Sequence, residues 1–119
     1  MKAQTPPAPP YHLYLLECED GTLYTGVALD VEQRFIQHAL GLGAAYTRAH
    51  PPRRVLACRP YASKGDALRA EYALKQVRRG MKLNFFSAKE RLADAALPPL
   101  GSTRSERRAD IAHYAGLPA

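Results

Sequence analysis

The chain has 119 residues, the length of one domain with a modest core, so no second domain is expected. Lys and Arg total 17 against 11 Asp and Glu, and the formal net charge of +6 should attract polyanions. No apolar run reaches about 18 residues and the first ten residues lack a hydrophobic stretch. A membrane span and an ordinary secretory signal are therefore not indicated, and we expect a cytoplasmic protein.

The first half of the chain predicts a proline-rich arm followed by a β-hairpin. Residues 1–10 contain four prolines and are expected to be flexible. Tyr11 to Cys18 is apolar enough for a strand buried largely on both faces. Asp20-Gly21 is a turn signal, so a second strand from Thr22 to Val27 should pair back on the first.

A helix is predicted from Val31 to about Leu40. Asp30 is its expected N-cap, with Gln33 three positions later, and glycines follow the helix. Arg34 and His38 lie one turn apart on a face that can border a cleft. The expected buried stripe consists of Val31, Phe35, Ala39 and Leu42, with Ile36 beside them.

The second half predicts a basic loop over residues 41–53, a third strand from Arg54 to Arg59 and a long helix from Ser63 to near Gly80. The core stripe of that helix should comprise Ala67, Ala70, Leu74 and Val77. A last helix around Ser87 to Ala95 would end a domain spanning residues 11–96. Residues 97–119 are polar and basic, and we expect a disordered tail.

Cys18 and Cys58 lie in apolar surroundings without a Cys-x-x-Cys pair. This favours buried free thiols over a disulfide or a zinc site.

Five polar side chains could serve one reaction, namely Tyr14, Tyr24, Arg34, His38 and Glu71. Taken singly, each tyrosine is more often a core aromatic with a satisfied hydroxyl, and His38 a satisfied partial-core histidine. Glu71 lies on the flank of its helix stripe, where the pattern alone favours a glutamate that reaches solvent or pairs with Lys75 one turn later over one that binds a divalent cation. Only their joint occurrence points to catalysis.

These positions resemble the motifs of the GIY-YIG nuclease superfamily. His12-Leu13-Tyr14 stands at the first motif and Tyr24-Thr25-Gly26 at the second. The later family positions are matched by Arg34, His38, Glu71 and Asn84. The resemblance covers about Tyr11 to Phe86.

The resemblance is closest to the small, single-domain bacterial branch of the superfamily. That branch shares segments similar to Asp20 to Gly26 and to Tyr46-Thr47-Arg48. His12 replaces the glycine of the first motif, and Thr25 the isoleucine of the second. Val27 stands where some active relatives place a cation or hydroxyl, which predicts less phosphate contact.

The resemblance implies a compact α/β (α+β) domain of GIY-YIG type, with a small three-stranded mixed sheet flanked by helices. It also implies Mg²⁺ or Mn²⁺ on Glu71, charge stabilisation by Arg34 and a tyrosine base whose pKa the metal, Arg34 or His38 must lower. Tyr14 is the preferred base, with Tyr24 positioning water or phosphate; the reverse assignment stays open.

We therefore predict a metal-dependent DNA endonuclease that acts on structured or damaged DNA, as in repair or recombination. The alternatives are a non-catalytic nucleic-acid-binding module on the same fold and an accessory protein whose charge is incidental. The expected partner is DNA, with RNA open, without a membrane or protein partner, for a monomer. Expected nucleic-acid contacts are Gly26, Arg48, Arg53, Arg54, Lys75 and Arg78.

Overall fold

The structure is a computed structural model that describes residues 9–92. Its centre is a three-stranded sheet of strands β1 (Tyr11–Cys18), β2 (Leu23–Ala28) and β3 (Pro52–Tyr61), in the order β2-β1-β3. The predicted three-stranded sheet flanked by helices is confirmed. Both of its strand pairings are antiparallel rather than mixed. Most of the proposed arm, and the whole of the proposed tail, lie outside the described residues.

Strand β1 runs between the other two strands and divides the core in two. Its residues Leu13 to Leu16 are at most 1% exposed, as expected for a strand buried on both faces. Because side chains alternate along a strand, Tyr14 and Leu16 face one side of the sheet while Leu13 and Leu15 face the other.

Helix α1 (Val31–Ala39) covers the Tyr14 face of the sheet. Asp30 caps it by accepting a 3.0 Å hydrogen bond from the backbone N–H of Gln33, as predicted. Phe35 is buried against the sheet, but Leu42 is 72% exposed, so its place in the predicted stripe is wrong. The helix has ended by then, and Gly41 reverses the chain with a φ of +81° that favours glycine.

The segment predicted as a loop contains a short helix, α2 (Ala45–Ala49), which packs near α1. The predicted loop between residues 41 and 53 is therefore wrong over this turn. Strand β3 also begins earlier and ends later than the predicted Arg54–Arg59.

Helix α3 (Lys64–Lys75) packs on the opposite face of the sheet, where Leu74 joins the second core. Ser63 caps it, accepting from the backbone N–H of Asp66, as predicted. The helix ends about five residues before the predicted Gly80. A 3-10 helix (Arg79–Phe85) follows, and the Lys82 Nζ donates to the Leu74 carbonyl at 2.8 Å, satisfying an end carbonyl of α3.

The predicted helix from Ser87 is wrong over its described part, residues 87–92. This segment forms a turn and then pairs with β3: the Cys58 N–H donates to the Glu90 carbonyl at 3.0 Å, and the Leu92 N–H donates to the Leu56 carbonyl at 2.8 Å. Sheet pairing thus replaces helical hydrogen bonding. Within residues 9–92 no helix is both long and apolar enough to cross a membrane.

Candidate active site

A hydrogen bond between Tyr14 and His38 lies at the centre of the site. The Tyr14 hydroxyl and His38 Nε2 are 2.8 Å apart, and both side chains are only 1% exposed. The central strand supplies the tyrosine, and the last turn of α1 supplies the imidazole. The sequence spacing suggested that these two groups could meet, and in the structure they are in direct contact.

The other nitrogen of His38 is held by the segment that follows α1. His38 Nδ1 lies 2.8 Å from Thr47 Oγ1, and the Thr47 hydroxyl donates to the Ala44 carbonyl at 2.9 Å. The Ala44 N–H also approaches Nδ1, at 3.3 Å. These contacts position the imidazole from the side opposite Tyr14.

Two glycines give the pair room. A Cβ at Gly26, the cross-strand partner of Tyr14, would lie 2.3 Å from the Tyr14 hydroxyl oxygen. A Cβ at Gly43 would lie 2.1 Å from His38 Nδ1. Gly26 was expected to contact phosphate; that contact stays a prediction, while its close approach to Tyr14 supplies a packing reason for glycine.

Burial sets the protonation states of the central pair. It raises the pKa of Tyr14 well above 10, as does the neighbouring Tyr24, while a hydrogen bond and the charge of Arg34 act in the opposite direction. Burial, and then the Arg34 charge, lower the pKa of His38 to about 4. Both groups are therefore neutral at pH 7. The chain's own groups do not produce the lowered tyrosine pKa expected for a free phenolate.

Tyr24 lies beside this pair on β2. Its ring centroid is 5.2 Å from that of His38, with an edge-on orientation, and 6.4 Å from that of Tyr14. Burial raises its pKa, and the Arg34 charge lowers it. The two tyrosines, the histidine and the arginine are thus brought together as predicted.

Glu71 lies on α3, and its charge acts on both tyrosines, raising the pKa of each. Its side chain is 20% exposed and its Oε1 is 3.8 Å from Lys75 Nζ, a loose ion pair. The pair with Lys75 is therefore present and leaves the carboxylate partly exposed, while the metal interpretation stays a prediction.

A single, partly exposed carboxylate is compatible with a divalent cation held mainly by water and substrate. Mg²⁺ commonly takes one or two protein carboxylates and completes its shell with water and substrate phosphate. Within residues 9–92 no group of three or more His, Cys, Asp or Glu side chains could enclose a metal. Glu71 would thus be a single protein ligand in a site completed by water and substrate.

An aromatic row extends the site and was not foreseen from the sequence. Tyr46 stacks on Tyr24 at 5.6 Å and on His50 at 4.3 Å, between ring centroids. His50 Nδ1 in turn lies 2.5 Å from a carboxylate oxygen of Asp20, in the β1–β2 turn. The similarity of the Tyr46-Thr47-Arg48 segment to the bacterial branch was the available signal, but among its residues only Arg48 had been assigned a contact.

Asn84 is not joined to the central pair by any hydrogen bond among the described residues. It is exposed in the 3-10 helix, and its amide oxygen accepts from Arg91 at 3.3 Å. Its catalytic assignment stays a prediction.

The expected nucleic-acid contacts differ in their surroundings. Arg48, Arg53 and Arg78 are exposed. Arg54 instead forms a 3.0 Å ion pair with Glu17, and Lys75 pairs loosely with Glu71. Phosphate binding by the last two would compete with these carboxylates.

Both cysteines are free thiols, as predicted; Cys18 is buried and Cys58 is half-buried. Within residues 9–92 the two thiols form no disulfide and belong to no group of three or more metal-binding side chains.

The chain is similar to proteins of the UPF0213 group. A UPF0213 protein of Xanthomonas axonopodis pv. citri is 46% identical over 89 residues, which cover 75% of this chain and 87% of that protein. One from Cupriavidus pinatubonensis is 48% identical over 75 residues, covering 63% and 83%. A solution NMR structure of a UPF0213 protein from Bacillus halodurans is 42% identical, with a TM-score of 0.41, covering 64% of this chain and 81% of that chain.

The family model for the GIY-YIG catalytic domain matches residues 10–84, which include both motif tyrosines, Arg34, His38 and Glu71. This match spans more than half of the chain. The protein therefore belongs to the GIY-YIG family.

Proposed function

We propose that the protein is a metal-dependent endonuclease that hydrolyses phosphodiester bonds in DNA. The observation that carries the proposal is the 2.8 Å hydrogen bond between Tyr14 and His38, with Arg34 acting on the same hydroxyl. A phenol, an imidazole and a guanidinium together provide a proton route and a positive charge, which are the two requirements for water to attack a phosphate.

In the proposed reaction, Tyr14 takes a proton from the attacking water and passes its own proton to His38 Nε2. The new O–P bond forms, the P–O3′ bond breaks, and the leaving oxygen gains its proton from solvent. The two pKa values lie so far apart that the resting pair does not exchange its proton. Transfer must therefore accompany water attack, when the phenol oxygen gains a proton.

Arg34 is proposed to stabilise the charge that develops on the phosphate. It is half-buried on α1, and its Nη1 donates to Gln37 at 3.1 Å, which orients the guanidinium. A fixed positive charge in a partly desolvated site stabilises a transition state more than the same charge in water.

Glu71 would hold the metal ion. When bound, Mg²⁺ or Mn²⁺ would neutralise charge on the scissile phosphate and on the leaving 3′-oxygen. The negative charge of Glu71 contributes to the raised pKa values of both tyrosines, which supports a metal position near them.

The exposed arginines Arg48, Arg53 and Arg78 are proposed to contact backbone phosphates without reading bases. The free thiols are consistent with action in the reducing cytoplasm. Structured or damaged DNA, as met in repair or recombination, is the proposed substrate class.

The test is incubation of the pure protein with end-labelled single-stranded, duplex, flapped and branched DNA, and with matched RNA, in Mg²⁺, Mn²⁺ or EDTA. Cleavage in either metal that EDTA and Tyr14→Phe both abolish would support the proposal. Binding without cleavage of any substrate would instead favour the non-catalytic module, for which the exposed arginines are the supporting observation.

A further inference from the structure

We propose that Thr47 is a positioning residue that fixes the tautomer of His38, so that Nδ1 carries the proton and Nε2 is free to accept the proton of Tyr14. The catalytic consequence rests on the function proposed above, but the tautomer itself does not. Thr47 lies on α2, the helix that the sequence did not predict, and is 1% exposed.

The tautomer follows from the number of protons available to the Thr47 hydroxyl and the His38 ring. Threonine has one hydroxyl proton, and the Thr47 hydroxyl is placed to donate it to the Ala44 carbonyl at 2.9 Å. Thr47 Oγ1 can then only accept from His38 Nδ1, 2.8 Å away. With Nδ1 protonated, Nε2 has its lone pair free for the Tyr14 hydroxyl.

The opposite tautomer leaves the shorter contact at Nδ1 without a proton. If Nε2 carried the proton, Nδ1 would need a donor, and Thr47 could supply one only by leaving the Ala44 carbonyl. The Ala44 N–H does donate to Nδ1, at 3.3 Å, and this longer bond favours the opposite tautomer. With Thr47 donating to the Ala44 carbonyl, however, Thr47 Oγ1 and Nδ1 would then face each other at 2.8 Å as two acceptors without a proton between them.

This tautomer gives the two ring nitrogens of His38 different roles. In the assigned tautomer, His38 accepts at Nε2 on the Tyr14 side and donates at Nδ1 on the Thr47 side. When Nε2 takes the tyrosine proton, the resulting imidazolium keeps its donor bond to Thr47 Oγ1. In the opposite tautomer Nε2 could donate to Tyr14 but could not take its proton.

The test is the ring ¹⁵N spectrum of His38, recorded through long-range ¹H–¹⁵N correlation at pH 7 on the wild-type protein without substrate. We expect a protonated Nδ1 and an unprotonated Nε2. The opposite pattern in the wild-type protein would overturn the inference, whatever the variants do. This measurement needs no nuclease activity, so its failure is distinct from failure of the proposed function.

Two variants then test Thr47 itself. Thr47→Ser keeps the hydroxyl and should keep the wild-type ring pattern, whereas Thr47→Val removes the hydroxyl at nearly constant shape and should populate the Nε2–H form. Cleavage should fall at least tenfold in Thr47→Val at unchanged DNA affinity and be restored in Thr47→Ser. An unchanged ring pattern in a folded Thr47→Val protein would show that Thr47 does not fix the tautomer.

Discussion

The Tyr14 hydroxyl and His38 Nε2, 24 residues apart in the chain, lie 2.8 Å from each other in the interior between β1 and α1. The hydrogen bond connects a phenol and an imidazole. Burial is the first cause of both pKa shifts: it raises the pKa of the phenol and lowers that of the imidazole. The pair is therefore held neutral, and the proton moves only if another atom supplies one to the phenol oxygen.

Tyr14→Phe should abolish the proton route while keeping the ring that packs against the core. We expect cleavage to fall about 100- to 10,000-fold. The lost hydrogen bond leaves His38 Nε2 without its partner, so the free energy of unfolding should fall by about 1–3 kcal/mol. Single-turnover cleavage and urea unfolding measure the two effects.

Tyr24→Phe is the matched control for that substitution. Its ring also lies beside His38, but the direct contact with Nε2 belongs to Tyr14. Tyr24→Phe should therefore cost less activity than Tyr14→Phe. A larger loss in the Tyr24 variant would exchange the roles of the two tyrosines.

Stability should depend on pH through His38. Its pKa is about 4 in the folded protein and about 6.5 in the unfolded chain, so the unfolded state binds more protons as the pH falls from 7 to 5. The stability contributed by neutral His38 is thus fully present above the pKa that His38 has in the unfolded chain. It is lost as the pH falls toward the pKa that His38 has in the folded protein. The loss between pH 7 and 5 should be about 2 kcal/mol.

His38→Gln provides the comparison because its amide cannot titrate. Urea unfolding of the two proteins at pH 7 and pH 5 should show a difference in stability that shrinks at pH 5. Asp20 and Glu90, whose carboxyl pKa values are lowered to about 2, act in both proteins and mainly below pH 5. A constant difference across this range would contradict the assignment.

The sequence predicted those parts of the site that depend on local spacing. The Asp30 cap fixed the start of α1, and therefore the face on which Arg34 and His38 lie. Strand alternation then placed Tyr14 toward that face. These features need only the periods of helix and strand, which short sequence windows contain.

The parts that the sequence did not predict depend on contacts between distant segments. Helix α2 is only five residues long and has no side-chain cap, so its period is too short to detect. Its Thr47 is recognisable only once His38 lies beside it. The segment after Ser87 likewise adopts sheet pairing because β3 offers free backbone groups there.

Glu71→Gln should separate the metal role from the ion pair with Lys75. The amide keeps the shape of the side chain but loses the charge that a divalent ion needs, so cleavage should fall at least about a thousandfold. Mn²⁺ binding, followed by its effect on water proton relaxation, should weaken in parallel.

Lys75→Gln is the control, because it removes the 3.8 Å pair and leaves the carboxylate. It should retain cleavage to within about tenfold, the equivalent of about 1.4 kcal/mol. Full activity in Glu71→Gln would remove this residue from the metal site.

Gly43→Ala should disturb the site without replacing a catalytic side chain. The new methyl would lie 2.1 Å from His38 Nδ1, so the imidazole must move and its bonds to Tyr14 and Thr47 must lengthen. We expect a loss of about 1–3 kcal/mol in stability, together with a fall in activity.

Gly80→Ala is the matched substitution, since a Cβ there meets nothing within 4 Å. Its effect on stability should stay within about 0.5 kcal/mol. Thermal unfolding and the His38 ring signals of both variants decide the comparison, and equal behaviour would mean that Gly43 is not needed for close approach.

The last prediction separates binding from catalysis by comparing Arg53 with Arg34. Arg53 is exposed at the start of β3, and if it contacts a phosphate, Arg53→Ala should lower the salt slope of affinity by about 0.9 on duplex DNA of any sequence. The substrate for these titrations should be a non-hydrolysable phosphorothioate, so that binding is measured alone. Arg54, paired with Glu17, should change that slope less when replaced.

Arg34→Ala should behave in the opposite way. Its charge is proposed to act on the transition state, so cleavage should fall about 100- to 1,000-fold, as for removal of one preorganised donor, while affinity changes little. Because a transition-state interaction lowers the rate of the bound complex, single-turnover rates at saturating enzyme isolate it from binding. Equal losses of affinity and of rate in Arg34→Ala would instead assign Arg34 to ground-state phosphate binding, and would favour the non-catalytic module.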